Sequence, residues 1–318
     1  ILGDFCEAGA NGFTNTLRMK HRKPFVNLPS TRVVYGEEVR SCIISREGKK
    51  FVCSDLSSME NIWKFNYQMP HDPEFVKSQQ TEDHDPHLDI ATEGMLISED
   101  EVNFYKIFKE GFPQENYPQT ERLLKMLSWD EDKKKAEIKR IAKVRAAGKT
   151  TNYACQYKSG AKTVSRQAKI DMGVAKTLVN AYRKKNWSID AIEKSLTRKR
   201  VSHGTYQLNP VNGIWYHLKT EKDSFSTLVQ GSGAYLLDLW LGYIFFLRQK
   251  PEYHIEGGVR LVAQAHDENL QEFDDMPENE VMVKKLFDDA LAMANKRLAQ
   301  EILFGCDTQT GYKYSEIH

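Results

Sequence analysis

The sequence predicts an α+β fold: a small antiparallel-sheet platform interrupted by a mostly helical insertion. Three observations predict it. The strand-like run Lys50–Ser54 leads into Asp55, and a second run, Val259–His266, leads into Asp267, 212 positions later. Between the two, from about Pro70 onward, the chain turns polar with helical spacing. The order then returns to helix, hairpin and helix, so the helical block reads as an insertion into a sheet-based unit. Such an insertion would let Asp55 and Asp267 meet in space.

Residues 1–50 read as irregular structure with strands, punctuated by Pro24, Pro29 and Gly36. After Lys50–Ser54 comes Ser57-x-x-Glu60, a capping box that opens a helix. Helices are predicted over Asp89–Gly94, Ser98–Phe108, Pro118–Met126, Asp130–Tyr157, Ser165–Lys185 and Ser188–Thr197. A glycine- and proline-bearing loop, roughly 203–222, closes the block. Ser232–Gln249 reads as a long apolar helix. Val259–His266 and Asn269–Phe273 read as a hairpin with Asp267 and Glu268 at its turn. There Arg260, Val262 and Gln264 alternate with Leu261, Ala263 and Ala265, the period of a two-faced strand. Glu278–Glu301 closes the chain as an amphipathic helix. There is no internal repeat.

The 318 residues, 40% hydrophobic and 28% charged, suffice for two or three globular subdomains. The formal net charge of +1 does not itself point to nucleic acid, but the charge is unevenly placed. Lys133, Lys134, Lys135, Lys139, Arg140, Lys143, Arg145 and Lys149 crowd one segment; Lys194–Arg200 and Arg18–Lys23 form two more basic clusters. Acidic stretches at Glu82–Asp89 and Asp267–Glu280 balance them. A basic track beside an acidic site suits phosphate-bearing substrates. The five cysteines form no Cys-x-x-Cys pair, which indicates reduced thiols and a cytoplasmic setting (a host cytoplasm for a viral chain). No signal peptide is visible, and the apolar run Ala234–Leu247 contains Asp238 and is too short to span a bilayer, so no membrane partner is expected. The first residue is Ile1 rather than Met, which reads as a processed or truncated chain, or the later part of a longer one.

Carboxylates at strand ends are ligands for hard cations. Transfer of a nucleotidyl group needs positive charge at both the attacking and the leaving oxygen, which two divalent ions roughly 3.5–4 Å apart supply. Magnesium takes oxygen ligands and needs only one or two carboxylates besides phosphate and water. Asp55 and Asp267 suit that role, with the Leu56 carbonyl as a further ligand and Glu268 as a weaker one. Taken alone, Asp267-Glu268 is most often a solvated turn, and Glu60 is equally a helix cap. Between them lies Arg145-x-x-x-Lys149-x-x-x-Tyr153-x-x-x-Tyr157, and residues four apart share a helix face. Two cations and two rings on one face suit a nucleotide; the other reading is a solvated helix, with the tyrosines in the core.

These strings together resemble the family A, or DNA polymerase I-like, DNA polymerases. Phe51–Glu60, FVCSDLSSME, resembles the first palm motif, DYSQIELR. Arg145–Tyr157 resembles the fingers motif R-x-x-x-K-x-x-x-(F/Y)-x-x-x-Y, and Gln264–Leu270, QAHDENL, the V-H-D-E motif. LVQGSGAYLLDLW from Leu228 resembles the Q-G-T-A-A-D segment, and HDPHLDIA from His84 the D-x-H-x-x-x-A segment. NTLRMKH and VNLPS near the start resemble the T-G-R-x-T/S and N-L-Q-x-I-P strings. The matches run the length of the chain in order, and Tyr153 with QGSGA is most similar to the bacteriophage branch.

The resemblance implies a right-hand polymerase fold, with palm at 1–68 (including the end of the thumb and primer-grip region) and 227–318, and fingers at 69–226. It implies extension of a DNA primer on a DNA template with dNTPs and two Mg2+ ions, for which Mn2+ can substitute. Asp55 and Asp267 would ligate the metals. Arg145 and Lys149 would grip the triphosphate, with Lys149 the acid for the leaving pyrophosphate. Tyr153 would pack on the incoming nucleotide and favour dideoxynucleotides. Glu60 and Tyr157 would exclude a 2′-hydroxyl, and His87 would lie near the phosphates. Arg18, Asn27, Gln230 and His266 would contact primer or minor-groove edges. Thumb and exonuclease would come from an upstream segment or another chain, and processivity or replisome proteins are further expected partners; without a thumb, grip on DNA would be salt-sensitive.

The sequence also departs from these patterns. Leu17 and Lys158 stand where the strings carry glycine, Ser226 and Lys222 where they carry Asn and Arg, and Ile62 where they carry Arg. Two rival readings share much of the pattern: a single-subunit phage-type RNA polymerase, against which Glu60 argues, and a catalytically silent DNA-binding subunit, against which the intact Asp55, Asp267, Arg145 and Lys149 argue.

Overall fold

The computed structural model describes residues 9–21, 28–31, 33–265 and 268–317. Two short strands, β1 (Ala10–Phe13) and β2 (Met19–His21), pair antiparallel and are followed by helix α1 (Gly36–Ser41). Strand β3 (Lys49–Leu56) is the predicted apolar run, longer by one residue at its start and reaching past Asp55. Helix α2 (Met59–Gln68) follows, two residues after the Ser57 of the predicted capping box; the Ser58 carbonyl accepts from the amides of Asn61 and Ile62.

The helical block opens with α3 (Pro73–Ser78) and α4 (Pro86–Glu93), each begun by an aspartate cap and a proline. That pairing is favourable because the aspartate takes orphan amides while proline needs no acceptor. Helix α5 (Glu99–Tyr105) carries a complete Ser98–Glu101 capping box and runs into a π-turn at Lys106–Glu110. Next come α6 (Glu121–Leu127), the 26-residue α7 (Glu131–Gln156), α8 (Ala161–Ala168), α9 (Met172–Lys185) and α10 (Ser188–Ser195). The single helix predicted over Ser165–Lys185 is therefore two. Lys169 takes a left-handed conformation at φ +54° that ends α8, and Asp171 caps α9 by accepting from the Gly173 amide at 2.6 Å.

The predicted loop at 203–222 holds two strands of a small sheet. Strands β4 (Arg198–Val201), β5 (Gly204–Leu208) and β6 (Trp215–Leu218) form an antiparallel three-stranded sheet in that order. Helix α11 (Ser224–Leu247) begins eight residues before the predicted Ser232. Strands β7 (Val259–Ala265) and β8 (Glu268–Asp274) form the predicted hairpin, and α12 (Pro277–Leu298) follows. A last strand, β9 (Cys306–Gly311), was not predicted; it completes an antiparallel sheet of order β7-β8-β3-β9. Among the described residues, no helix is long and apolar enough to cross a membrane. Cys42, Cys53, Cys155 and Cys306 are free thiols, as the spacing predicts.

The chain divides into two compact units. The first holds 1–66, 196–219 and 227–318; the second holds 67–195 and 220–226. In the first, Phe51, Cys53, Ala263 and Leu270 cover one sheet face together with Tyr314 and Ile317. Helix α12 meets the opposite face, where Lys50 and Thr310 both bind Glu280 at 2.6 and 2.7 Å. Trp240 of α11, fully buried, donates its indole N–H to the Phe287 carbonyl of α12 at 3.0 Å. In the second unit α4, α7 and α9 pack on one another around Leu88, Ala91, Ile141 and Leu178, all fully buried. Each such side chain contributes about 1.5–3 kcal/mol by leaving water, apart from the smaller alanine.

Candidate active site

Asp55 is the penultimate residue of the central strand β3. Its register partners are Glu268 on β8 and Asp307 on β9. Directly opposed residues of antiparallel strands lie about 4.5–5.5 Å apart at Cα and point to the same face. Three carboxylates therefore stand in a row across one end of the sheet, on the face that also bears Cys53. Asp55 and Asp307 are exposed and Glu268 is buried. The Tyr314 hydroxyl donates to the Glu268 carboxylate, 3.1 and 3.3 Å from its two oxygens. Burial, reinforced by the Glu268 charge, pushes both the Tyr314 hydroxyl and the Cys53 thiol far above their ordinary range, so both keep their protons. Asp307 accepts from the Gln309 amide at 3.0 Å.

Oxygen-only carboxylate donors fit a hard divalent cation. Among the described residues, no three His, Cys, Asp or Glu side chains gather closely enough to hold a metal. The expected partner of Asp55, Asp267, lies outside the described residues, as do His266 and Asn27. Asp267 immediately precedes Glu268, so its neighbour in the chain is the residue opposite Asp55. Leu56 ends β3 with its side chain buried, and the amide of Ser57 donates to the Gly305 carbonyl at 2.9 Å. Arg18 and Glu60, assigned separately to primer and sugar, form an ion pair at 3.4 Å. Gln230 lies half-buried on α11.

In the second unit, α7 carries Arg145, Lys149 and Tyr153 as predicted, and Tyr157 is its C-terminal cap residue. Tyr153 and Tyr157 are 55% and 49% exposed, which excludes the core reading for both. The stripe faces the start of α4. Asp85 accepts from the His87 and Leu88 amides at 2.8 and 3.0 Å and from Arg145 Nε at 2.5 Å. Burial alone would raise the Asp85 pKa; the Leu88 amide, the Arg145 guanidinium and the His87 amide outweigh it and hold the carboxyl below its usual range. Asn152 Nδ2 donates to the Pro86 carbonyl and to His87 Nδ1, both at 2.9 Å. His87 Nδ1 is thus an acceptor and the ring proton sits on Nε2. Burial, with Arg145 and Lys149 nearby, lowers the His87 pKa and keeps the ring neutral at pH 7. The rings of His87 and Tyr153 are 6.2 Å apart, and Lys149 Nζ lies 6.0 Å from the Tyr153 ring centre. Gly148 permits this packing: a Cβ there would stand 2.2 Å from the His87 carbonyl oxygen.

No family model and no curated protein matches the chain. A solved structure does: the POL domain of Pol1 from M. smegmatis in complex with DNA primer-template and dNTP, at a TM-score of 0.58 and 14% identity. The match covers 96% of this chain and 47% of that one, so the chain spans about half the length of its structural neighbour. The chain has a polymerase-domain fold.

Nothing in the likeness favours the bacteriophage branch. Two of the departures noted in the sequence have a backbone consequence. Leu17 and Lys158, standing where the resembling strings carry glycine, both adopt left-handed backbone, at φ +61° and +52°. A left-handed backbone costs about 1–2 kcal/mol for a residue with a side chain. Lys158 forms ion pairs to Glu193 and, at 3.8 Å, Asp190.

Sequence reasoning missed Asn152, Tyr314 and Asp307, and it quoted Asp85 in the D-x-H string without giving it a role. The Asp85-Pro86 step was a visible cap signal, but nothing in the sequence linked it to Arg145. Asp307 gave no signal, because its place beside Asp55 depends on β9.

Proposed function

We propose that the chain is the palm and fingers of a DNA polymerase that adds deoxynucleotides to the 3′ end of a DNA primer and releases pyrophosphate. The observation that carries this reading is the register of Asp55 with Glu268, next in sequence to Asp267, in a chain of polymerase-domain fold.

Palm residues 1–68 and 227–318 would present Asp55, Asp267, the Leu56 carbonyl and Glu268 to two Mg2+ ions. When bound, those ions supply the positive charge that an in-line displacement needs at its attacking and leaving oxygens. The protein's own part is positional. The Asp55 carboxylate is exposed, while Tyr314 fixes Glu268 beside it. In the fingers, residues 69–226, Arg145 and Lys149 would bind the triphosphate of the dNTP, and Asp85 orients the Arg145 guanidinium for that task. Lys149 would give its proton to the leaving pyrophosphate. Neutral His87 offers its Nε2 proton as a donor beside Tyr153, which would pack on the nucleotide. Glu60 and Tyr157 would keep a 2′-hydroxyl out. Arg18, Asn27, Gln230 and His266 would hold the primer-template. A segment upstream or a separate chain would supply thumb and exonuclease, and replisome proteins would supply processivity.

Primer extension with deoxy- and ribonucleotides tests the reading. Magnesium-dependent extension with dNTPs, lost in Asp55→Asn, is the expected result. A preference for ribonucleotides would replace this reading with an RNA polymerase, and extension that survives Asp55→Asn would remove the metal assignment.

A further inference from the structure

The sheet β4-β5-β6 takes no part in the site above, and its two faces differ. Along β6, Tyr216 and Leu218 are buried while Trp215 is 43% exposed and His217 half-exposed. The buried face looks toward α11, where the Tyr216 hydroxyl meets the Gly231 carbonyl at 3.4 Å. Gln207, opposite Tyr216, is buried with it. The register puts Lys199, Tyr206 and His217 in one row across the outer face, with Leu208 and Trp215 in the row beside it. The Tyr206 ring centre is 5.2 Å from that of His217 and 5.7 Å from that of His203. Gly204 makes room for this row: it sits at φ +149°, and a Cβ there would come within 2.5 Å of His217 Nε2.

The charge of this segment is one-sided. Leu196–Lys219 contains Arg198, Lys199, Arg200 and Lys219 and no aspartate or glutamate, in a chain whose formal net charge is only +1. Arg198, Lys199 and Arg200 are all exposed along the edge strand.

We infer that the outer face of this sheet binds single-stranded nucleic acid, with bases stacked on Tyr206, Trp215 and the flanking histidines and a phosphate held by Lys199, the β4 cation in their row. Flat rings in a row need unstacked bases, which a single strand offers and a duplex hides. The absence of carboxylates over the segment favours a polyanion. Strands lie about 4.8 Å apart, so a three-strand row has room for about two or three bases. The surface stands on the sheet alone and does not depend on the polymerase reading.

The test is fluorescence anisotropy of a labelled 12-nucleotide single strand with the full chain, in EDTA and without dNTP. Tyr206→Ala and Trp215→Ala should each weaken binding about 10-fold, the scale of one lost stacking contact. Tyr206→Phe, which keeps the ring, should bind like the parent. Lys199→Glu should weaken binding and flatten its salt dependence by about one counterion. Asp55→Asn should bind the strand unchanged, which separates this surface from the metal site. Unchanged affinity in Tyr206→Ala, Trp215→Ala and Lys199→Glu would overturn the inference, as would equal competition by a duplex of the same sequence or by polyglutamate.

Discussion

Asp55 and Glu268 stand opposite one another on adjacent antiparallel strands, so two carboxylates share one face of the sheet, and Asp307 adds a third on the other side of Asp55. Like charges directly opposed across strands cost about 0.2–1 kcal/mol. Asp55→Asn should therefore raise unfolding stability at pH 7 by up to about 1 kcal/mol while lowering nucleotide incorporation by roughly 10²–10³-fold or more, the scale for one lost electrostatic stabiliser. Urea unfolding and single-nucleotide incorporation measure the two effects. A variant that is both less stable and fully active would contradict the assignment of Asp55.

Asp85 does two jobs, capping α4 and holding Arg145. Asp85→Asn keeps a good cap but removes the charge that fixes the guanidinium. The expected result is a small loss of stability, about 1 kcal/mol, and a fall of about 10- to 100-fold in kcat/KM for dNTP. Normal nucleotide kinetics in this variant would show that Arg145 needs no such holder.

Gly148→Ala tests the contact of α4 with α7. Helix propensity alone predicts a gain of about 1 kcal/mol for replacing a helical glycine. The 2.2 Å approach to the His87 carbonyl predicts the opposite sign, a loss of about 1–3 kcal/mol. The direction of the shift in the urea midpoint decides between them.

Glu280 is held down to about 2 by hydrogen bonds from Lys284, Lys50 and Thr310. A carboxylate depressed in the folded state stabilises it above its ordinary value, 4.5. That contribution falls away as pH drops from there toward 2. Glu280→Gln should cost about 1–2 kcal/mol at pH 7, and the difference from the parent should vanish near pH 2. A pH-independent difference between the two proteins would show that charge is not what Glu280 contributes.

Much of this was legible in the sequence where the signal is local. The alternation in Val259–Ala265, the helix start at Ser98 and the four-residue spacing of Arg145, Lys149 and Tyr153 all depend on near neighbours, and each appears in the structure. The failures share a cause. Cys306–Gly311 has little apolar alternation and becomes a strand because β3 offers it an edge. Gly204, Pro210 and Gly213 read as loop punctuation, yet they lie at or near the turns of a small sheet. The helical periodicity of 165–185 continues through Lys169, where the left-handed residue and the Asp171 cap break it. The partner of Arg145 is sixty positions away in Asp85, beyond any local rule.

The central claim is that Asp55 holds divalent cations for a nucleotide. Anomalous diffraction from crystals soaked in Mn2+ and a dNTP measures this directly. The account predicts a manganese peak about 2.0–2.2 Å from an Asp55 carboxylate oxygen, shared with Asp267 and with phosphate oxygens of the dNTP. Manganese bound to the dNTP with no ligand from Asp55 would contradict it.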